Sequence, residues 1–335
     1  MKIRVAIFGS GQMARIYGDV LKKHDLAQLA GFVGNSSDKV EHLKRDYEVP
    51  VYGDGNFKNF LNDVEVDAVI IATPEWVRLE PLKAAIDAGK AILIEKPFAD
   101  SWEEAKQLYE VLNGYSHVIQ FCHVLRFSPR FFAMKKMVSE GDVGDIRHMH
   151  GCRNSNNQRV KRVLGKANLA FWLTPHDIDI MRWLSESEVS SVYTLSRGKL
   201  DTADDYIVSL LRFENGVTAI HEVSWCTPPL SAAAREAFFQ VRGTEGAIEL
   251  DDFATNIRLF AEGDRVMGAD TYENFSIQGQ HHGFFRIMVD GFLSRVVSQL
   301  NDPKDLEDAF ESMRVCEMIS RSVKLGREVK RREVQ

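Results

Sequence analysis

Ile3-Arg4-Val5-Ala6-Ile7-Phe8-Gly9-Ser10-Gly11-Gln12-Met13-Ala14 is the stretch on which the fold turns. A mostly apolar run stops at Gly-x-Gly-x-x-Ala, and an amphipathic segment over residues 13–23 follows at once. Glycines let a chain turn tightly and bring its backbone close to a pyrophosphate. The helix that opens next offers unpaired N–H groups and the positive end of its dipole. Strand, tight turn and helix in that order predict a nucleotide-phosphate site formed by Gly9, Gly11, Gln12 and Met13.

Outward from this turn the same grammar repeats. Apolar runs at 29–33, 68–72, 91–94 and 117–121 alternate with helical patterns at 39–45, 78–88 and 102–112. Runs that are apolar at nearly every position are buried on both faces, so residues 1–123 are expected to form a doubly wound parallel sheet with helices on each side. Beyond 123 the pattern changes. Helices are expected at 129–139 and 175–184, and strands at 146–152, 189–196, 205–213, 217–225, 237–242 and 247–250. Glu214-Asn215-Gly216 and Gly243-Thr244-Glu245-Gly246 are turn signals between neighbouring strands, which makes this sheet antiparallel for the most part. Helices at 284–300 and 305–325 close the chain. At 335 residues the chain exceeds what one core usually holds, so 124–335 is expected to be a second α/β domain.

A formal net charge of -6 argues against nucleic acid or an anionic membrane as the main partner. No apolar run is long enough to span a bilayer, and Met1-Lys2-Ile3-Arg4 enters a strand without a signal-peptide core, so a cytoplasmic location is expected. Cys122, Cys152, Cys226 and Cys316 are scattered in apolar patterns and read as buried thiols. His281-His282 has no acidic or Cys partner at ligand spacing, so no metal is expected.

Four further stretches fall at expected carboxyl ends of strands. Where an acid often binds the ribose 2′-hydroxyl, the chain reads Val33-Gly34-Asn35-Ser36-Ser37-Asp38-Lys39. Without that acid a 2′-phosphate is admitted, with Ser36, Ser37, Lys39 and Arg15 as contacts; Asn35 could equally bond the hydroxyls of NAD. The balance tips slightly toward NADP. Thr73-Pro74-Glu75-Trp76 ends the run at 68–72, with Trp76 available to cover an apolar ring or simply to pack. Glu95-Lys96-Pro97 ends the run at 91–94 and delivers an amine to the same edge, and Arg126-Phe127-x-Pro129 follows the run at 117–121.

In the second half, His176-Asp177-Ile178-Asp179 opens a helix, with His176 and Asp179 on one face. A His beside carboxylates suits proton relay to an alcohol. Residues 153–166 hold Arg153, Arg159, Lys161, Arg162 and Lys166 with no acid, an inversion of the overall charge that would suit an anionic group on a substrate.

Taken together, Gly9-Ser10-Gly11-Gln12-Met13-Ala14, Ala72-Thr73-Pro74, Glu95-Lys96-Pro97, Arg126-Phe127-Ser128-Pro129, Gly144-Asp145-Ile146, His176-x-x-Asp179 and Phe213-Glu214-Asn215-Gly216 resemble the glucose-fructose oxidoreductase, inositol dehydrogenase and MocA family over essentially the whole chain. The resemblance implies a Rossmann domain followed by an α/β domain whose large sheet forms dimers or tetramers. It also implies NAD(P)-dependent oxidation or reduction of a hydroxyl carbon on a sugar, cyclitol or nucleotide sugar. Lys96 and His176 would be the catalytic pair. Thr73, Pro74 and Glu95 would line the nicotinamide ribose, and Asp179 would join Lys96 and His176 around the substrate; Arg126, for its place at the same sheet edge, and Arg153, for its place in the basic run, are expected on the substrate side as well. The chain departs from the family pattern at Trp172, where an Asp four residues before the His is usual, and in Glu75 and Arg78 of the Thr-Pro stretch. An NAD-dependent glycosidase working through transient oxidation, and a non-catalytic sensor, are the alternatives.

Overall fold

The structure is a computed structural model and describes residues 2–156, 168–198, 206–227, 235–251, 258–261, 265–268 and 275–335. Arg159, Lys161, Arg162 and Lys166 of the basic run lie outside the described residues. The chain divides into two compact units: Met1–Ala99 with Glu103–Phe127 and Thr271–Phe310, and Asp100–Trp102 with Ser128–Asp270 and Glu311–Gln335.

The first unit is built on six strands, β1 (Ile3–Phe8), β2 (Ala27–Val33), β3 (Val51–Tyr52), β4 (Ala68–Ile71), β5 (Ala91–Ile94) and β6 (Ile119–Phe121), ordered β3-β2-β1-β4-β5-β6. Every pairing is parallel. Helices α1 (Gln12–Lys22), α2 (Ser37–Asp46), α3 (Phe57–Asp63), α4 (Leu79–Asp87) and α5 (Trp102–Leu112) connect them. The predicted runs become strands because both faces need cover: Val5, Ala6, Ile7 and Phe8 are fully buried, as are Val69, Ile70 and Ile71. β3 and α3 escaped the sequence reading, being a two-residue strand and a seven-residue, mostly polar helix.

The second unit carries a seven-stranded sheet. Its strands are β7 (Ile146–Asn156), β8 (Val189–Arg197), β9 (Tyr206–Phe213), β10 (Thr218–Thr227), β11 (Arg235–Gly243), β12 (Ala247–Asp251) and the late β17 (Val329–Lys330). The order is β12-β11-β7-β10-β9-β8-β17. Only β7 and β10 run parallel; the other neighbours are antiparallel. α6 (Pro129–Ser139), a single-turn α7 (Leu169–Trp172) and α8 (Thr174–Ser185) belong here. Short hairpins β13 (Arg258–Ala261) with β14 (Arg265–Gly268), and β15 (Phe275–Ile277) with β16 (Gln280–His282), precede α9 (Phe284–Ser298) and α10 (Pro303–Leu325).

The sequence boundary at 123/124 takes each domain as one contiguous piece, whereas the chain returns to its first unit late. The cause is the apolar stripe of α9: Phe284, Met288, Val289, Phe292 and Leu293 join the core made by Val5, Ile7, Tyr17 and Leu93. Arg295 donates to the Ile119 carbonyl at 3.1 Å, and the Gln120 amide donates to the Met288 carbonyl at 3.3 Å. These bonds cover the otherwise open edge strand β6. One expectation about thiols also changes. Cys122, Cys152 and Cys316 are buried, but Cys226, near the end of β10, is exposed. Among the described residues no helix is long and apolar enough to cross a membrane, and no group of three or more His, Cys, Asp or Glu is placed to hold a metal ion.

Candidate active site

In a parallel sheet of this order the chain reverses its direction of growth between β1 and β4, leaving a crevice at the strands' carboxyl ends. Gly9, Asn35, Thr73 and Glu95 follow the ends of β1, β2, β4 and β5 and therefore share this edge. Gly9 has φ +143°, and a Cβ there would meet the Ala72 carbonyl oxygen at 2.5 Å. β1 and β4 can come together at the switch point only if this residue lacks a side chain. Gly9→Ala should lower stability by roughly 2 kcal/mol or more, from overpacking and backbone strain together. A lower urea midpoint and weaker NADH binding would register it; unchanged values in both would refute this account of Gly9.

Gly11 caps α1 without a side-chain bond, no acid stands in the first turn of α1, and a Cβ on Gly11 would meet nothing within 4 Å. That is a helix end with room for an anion and no internal competitor. Gln12 and Met13 form its first turn. The residues present thus fit a dinucleotide pyrophosphate. At the end of β2, Asn35 is exposed and Ser36 is the N-cap of α2, with no side-chain cap bond. Lys39 is exposed. Arg15, counted from sequence among the phosphate contacts, pairs with Asp46 at 2.6 Å.

After β4 the chain winds through a 3-10 turn, Glu75–Val77. The Thr73 hydroxyl donates to the Val77 carbonyl at 3.1 Å, Pro74 is exposed and Trp76 is partly buried. After β5, Glu95 is buried and accepts from the Tyr17 hydroxyl and, at 3.0 Å, from the Lys96 N–H. Tyr17 also lies 3.2 Å from the Cys122 thiol. Burial raises the Glu95 carboxyl above its ordinary value, while the Tyr17 hydroxyl, Lys96 and Arg78 pull it back. Burial, then Cys122 and Glu95, push the Tyr17 phenol well up, so it stays a donor. Lys96 is partly buried and its bond to Pro97 is cis. Arg126 donates to Asp308 at 2.9 Å within the same unit.

In the second unit His176 sits in the first turn of α8, partly buried, with Asp179 one turn on and buried. Asp177 points another way. Its carboxylate accepts from the Arg153 guanidinium of β7 through Nε at 3.0 and 3.1 Å and Nη2 at 2.9 Å. His221 of β10 approaches it to 3.5 Å. Burial alone would raise the Asp177 carboxyl; Arg153, followed by His221, overrides it and holds the group well below the usual carboxylate range. Asp177 is therefore engaged by Arg153 and His221, and Asp179, three residues on, is the acid on the helix face of His176. Trp172, in the Asp position of the family pattern, packs edge-on against Trp225 with ring centroids 5.8 Å apart.

Tyr17, Arg78 and His221 were not assigned roles from the sequence. Tyr17 lies three residues past Ala14 on the buried side of α1, so its hydroxyl was bound to need a partner. His221 is fully buried in a strand where an apolar residue would alternate inward.

Residues 3–123 match the model of an oxidoreductase family with an NAD-binding Rossmann fold, and residues 131–249 match the GFO/IDH/MocA C-terminal domain. The chain belongs to the GFO/IDH/MocA oxidoreductase family. It is 25% identical over 259 residues to scyllo-inositol 2-dehydrogenase (NAD(+)) of Bacillus subtilis, covering 74% of this chain and 73% of that protein. It is 23% identical over 260 residues to 2,7-anhydro-N-acetylneuraminate hydratase of Mediterraneibacter gnavus, covering 73% of this chain and 66% of that one. The crystal structure of myo-inositol 2-dehydrogenase from Lactobacillus plantarum superposes with a TM-score of 0.84, covering 100% of both chains at 19% identity, a likeness of fold. This family member is thus an NAD-binding oxidoreductase with a Rossmann sheet and a mostly antiparallel second sheet.

Proposed function

We propose that this enzyme oxidises or reduces a secondary alcohol carbon of a cyclitol, sugar or nucleotide sugar. The observation that carries the reading is the place of Lys96. Its amine leaves the carboxyl end of β5, beside a buried acid, on the sheet edge that also holds the Gly9 switch point and the uncapped start of α1. Bound nicotinamide would supply or accept the hydride. Lys96 and His176 hold and move the hydroxyl proton, and Asp179 orients His176. Thr73, Pro74, Trp76 and Glu95 line the cofactor side. The relative that acts on scyllo-inositol supports a cyclitol as the first substrate to try.

Arg126 and Arg153 are proposed to act through charge near the substrate, although the guanidinium of Arg153 is already bonded to Asp177. NADPH is proposed to bind alongside NADH, since the position where an acid would repel a 2′-phosphate is held by exposed Asn35 and Lys39 is exposed nearby. Asn35→Asp should weaken NADPH binding by about tenfold or more through like-charge repulsion, leaving NADH little changed. Fluorescence titration of both reduced cofactors measures this, and equal effects on the two would remove Asn35 from the 2′ site. Association into dimers or tetramers is proposed through the second sheet. Tyr193, Leu195 and Leu210 are exposed there, and the Tyr193↔Leu210 register puts them on one face.

The decisive assay follows NAD(P)H formation with scyllo-inositol, myo-inositol, sugars, sugar acids and nucleotide sugars. Turnover of at least one polyol is expected; tight NADH binding with no reduction on any of them would sink the dehydrogenase reading. A second reading, transient oxidation with no net cofactor change, is favoured by the hydratase relative. It would show as substrate consumption with constant NADH absorbance.

A further inference from the structure

β4 and β5 stay in register to Ile71↔Ile94, and the last backbone bond between them runs from the Glu95 N–H to the Ile71 carbonyl at 3.0 Å. Past that point the strands part, and prolines follow on both sides, Pro74 after Thr73 and Pro97 after Lys96. Proline has no N–H to give. The carbonyls of Thr73 and Glu95 thus emerge buried where the ladder has run out of donors, and buried carbonyls need them.

One side chain meets both. Arg78 is 1% exposed; its Nη1 donates to the Glu95 carbonyl, and its Nη2 donates to the Thr73 carbonyl at 3.3 Å. Burial pulls the guanidinium below its ordinary value, and Glu75 and Glu95, both buried, act against that. The Glu95 carbonyl belongs to the peptide unit whose N–H is that of Lys96, and this N–H donates to the Glu95 carboxylate at 3.0 Å. That peptide plane is held at its oxygen by Arg78 and at its nitrogen by Glu95. The direction in which Lys96 leaves the backbone is fixed from both ends.

We propose that Arg78 is a positioning residue: a buried fork that ties the diverging ends of β4 and β5 and aims Lys96 at the substrate. The inference rests on the reading of Lys96 as the amine that meets substrate. A fork is required because the two acceptors lie on different strands. A Lys in its place is a single point charge on a flexible stem and cannot span them in the same plane.

The test compares wild type, Arg78→Lys, the double variant Glu75→Gln/Arg78→Met and Lys96→Met. The double variant removes both buried charges together, so that neither is stranded. For each protein the thermal midpoint, NADH affinity by fluorescence, and kcat and KM on the best polyol of the screen are measured. Arg78→Lys and the double variant, folded and binding NADH like wild type, should lose about a hundredfold in kcat while KM moves by no more than about threefold. A packing role alone would lower the thermal midpoint and leave kcat of the folded protein intact, and that result overturns the proposal. If Lys96→Met is inactive while Arg78→Lys works at full speed, the inference alone falls. If Lys96→Met turns over normally, the reading of Lys96 falls and takes the inference with it.

Discussion

Lys96→Met is expected to lower kcat by about three orders of magnitude, in the range that a positioned acid or base contributes, while NADH still binds. Met keeps the length and apolar stem of Lys but has no proton to move. The phosphate end of the site, Gly9 and the start of α1, is built by β1 and is untouched by the change. Glu95 keeps its Tyr17 hydroxyl bond and its bond from the residue 96 N–H, because that donor is backbone. Steady-state kinetics on the best polyol, beside a fluorescence titration with NADH, separates the two functions. Turnover within a few-fold of wild type would remove Lys96 from the chemistry; lost NADH binding would mean that it serves the cofactor instead.

Asp177→Asn carries the second large effect, on stability. The substitution leaves the Arg153 guanidinium buried against an amide that cannot balance its charge, with His221 beside it. Breaking a buried pair from one side costs roughly 3–5 kcal/mol, and the urea midpoint should fall accordingly. The pH dependence has a definite sign. The Asp177 carboxyl is depressed in the folded protein, so its contribution is complete above the unfolded value of about 3.9 and is lost as pH falls toward the folded value. Wild type should therefore lose stability steeply as acid is added below that point, and Asp177→Asn should show a flatter profile. Parallel profiles for the two proteins would mean that the carboxylate does not hold α8 against β7. Because His176 lies one residue away in the same turn, the variant should also lose activity before it unfolds.

Much of the first sheet was legible because parallel strands buried on both faces have little freedom in composition. β1, β4 and β5 are apolar at nearly every position, and their carboxyl ends collect the glycine, Thr-Pro and Glu-Lys-Pro turns. The strands of the second sheet were legible from their turns, and all six expected ones lie within a few residues of where the pattern put them. Partnership between distant segments was not legible. The amphipathic stripe of α9 shows that it packs on something, but not that this is the first core. Arg153 illustrates the same limit inside a strand. In a charge count it is one of five cations in a basic run, yet alternation along β7 puts it on the side of buried Met149 and Gly151, where a charge must find a partner. The partner, Asp177, is 24 residues away on a helix. Arg78 stood out only as an unusual residue in a familiar stretch, and its two carbonyl bonds depend on where two prolines interrupt the ladder.

The late return of α9 to the first unit has a consequence for how the chain is made. During synthesis β1 through β6 emerge first, but the core that includes Val5, Tyr17 and Leu93 stays open until Phe284–Leu293 has left the ribosome. An apolar surface must wait while the chain between β6 and α9 is made, and waiting surfaces of this kind invite aggregation. A fragment ending at residue 127 would therefore emerge with the whole phosphate-binding turn and yet be prone to precipitate. The nucleotide-binding sheet is made before the second unit and becomes a stable object only after it.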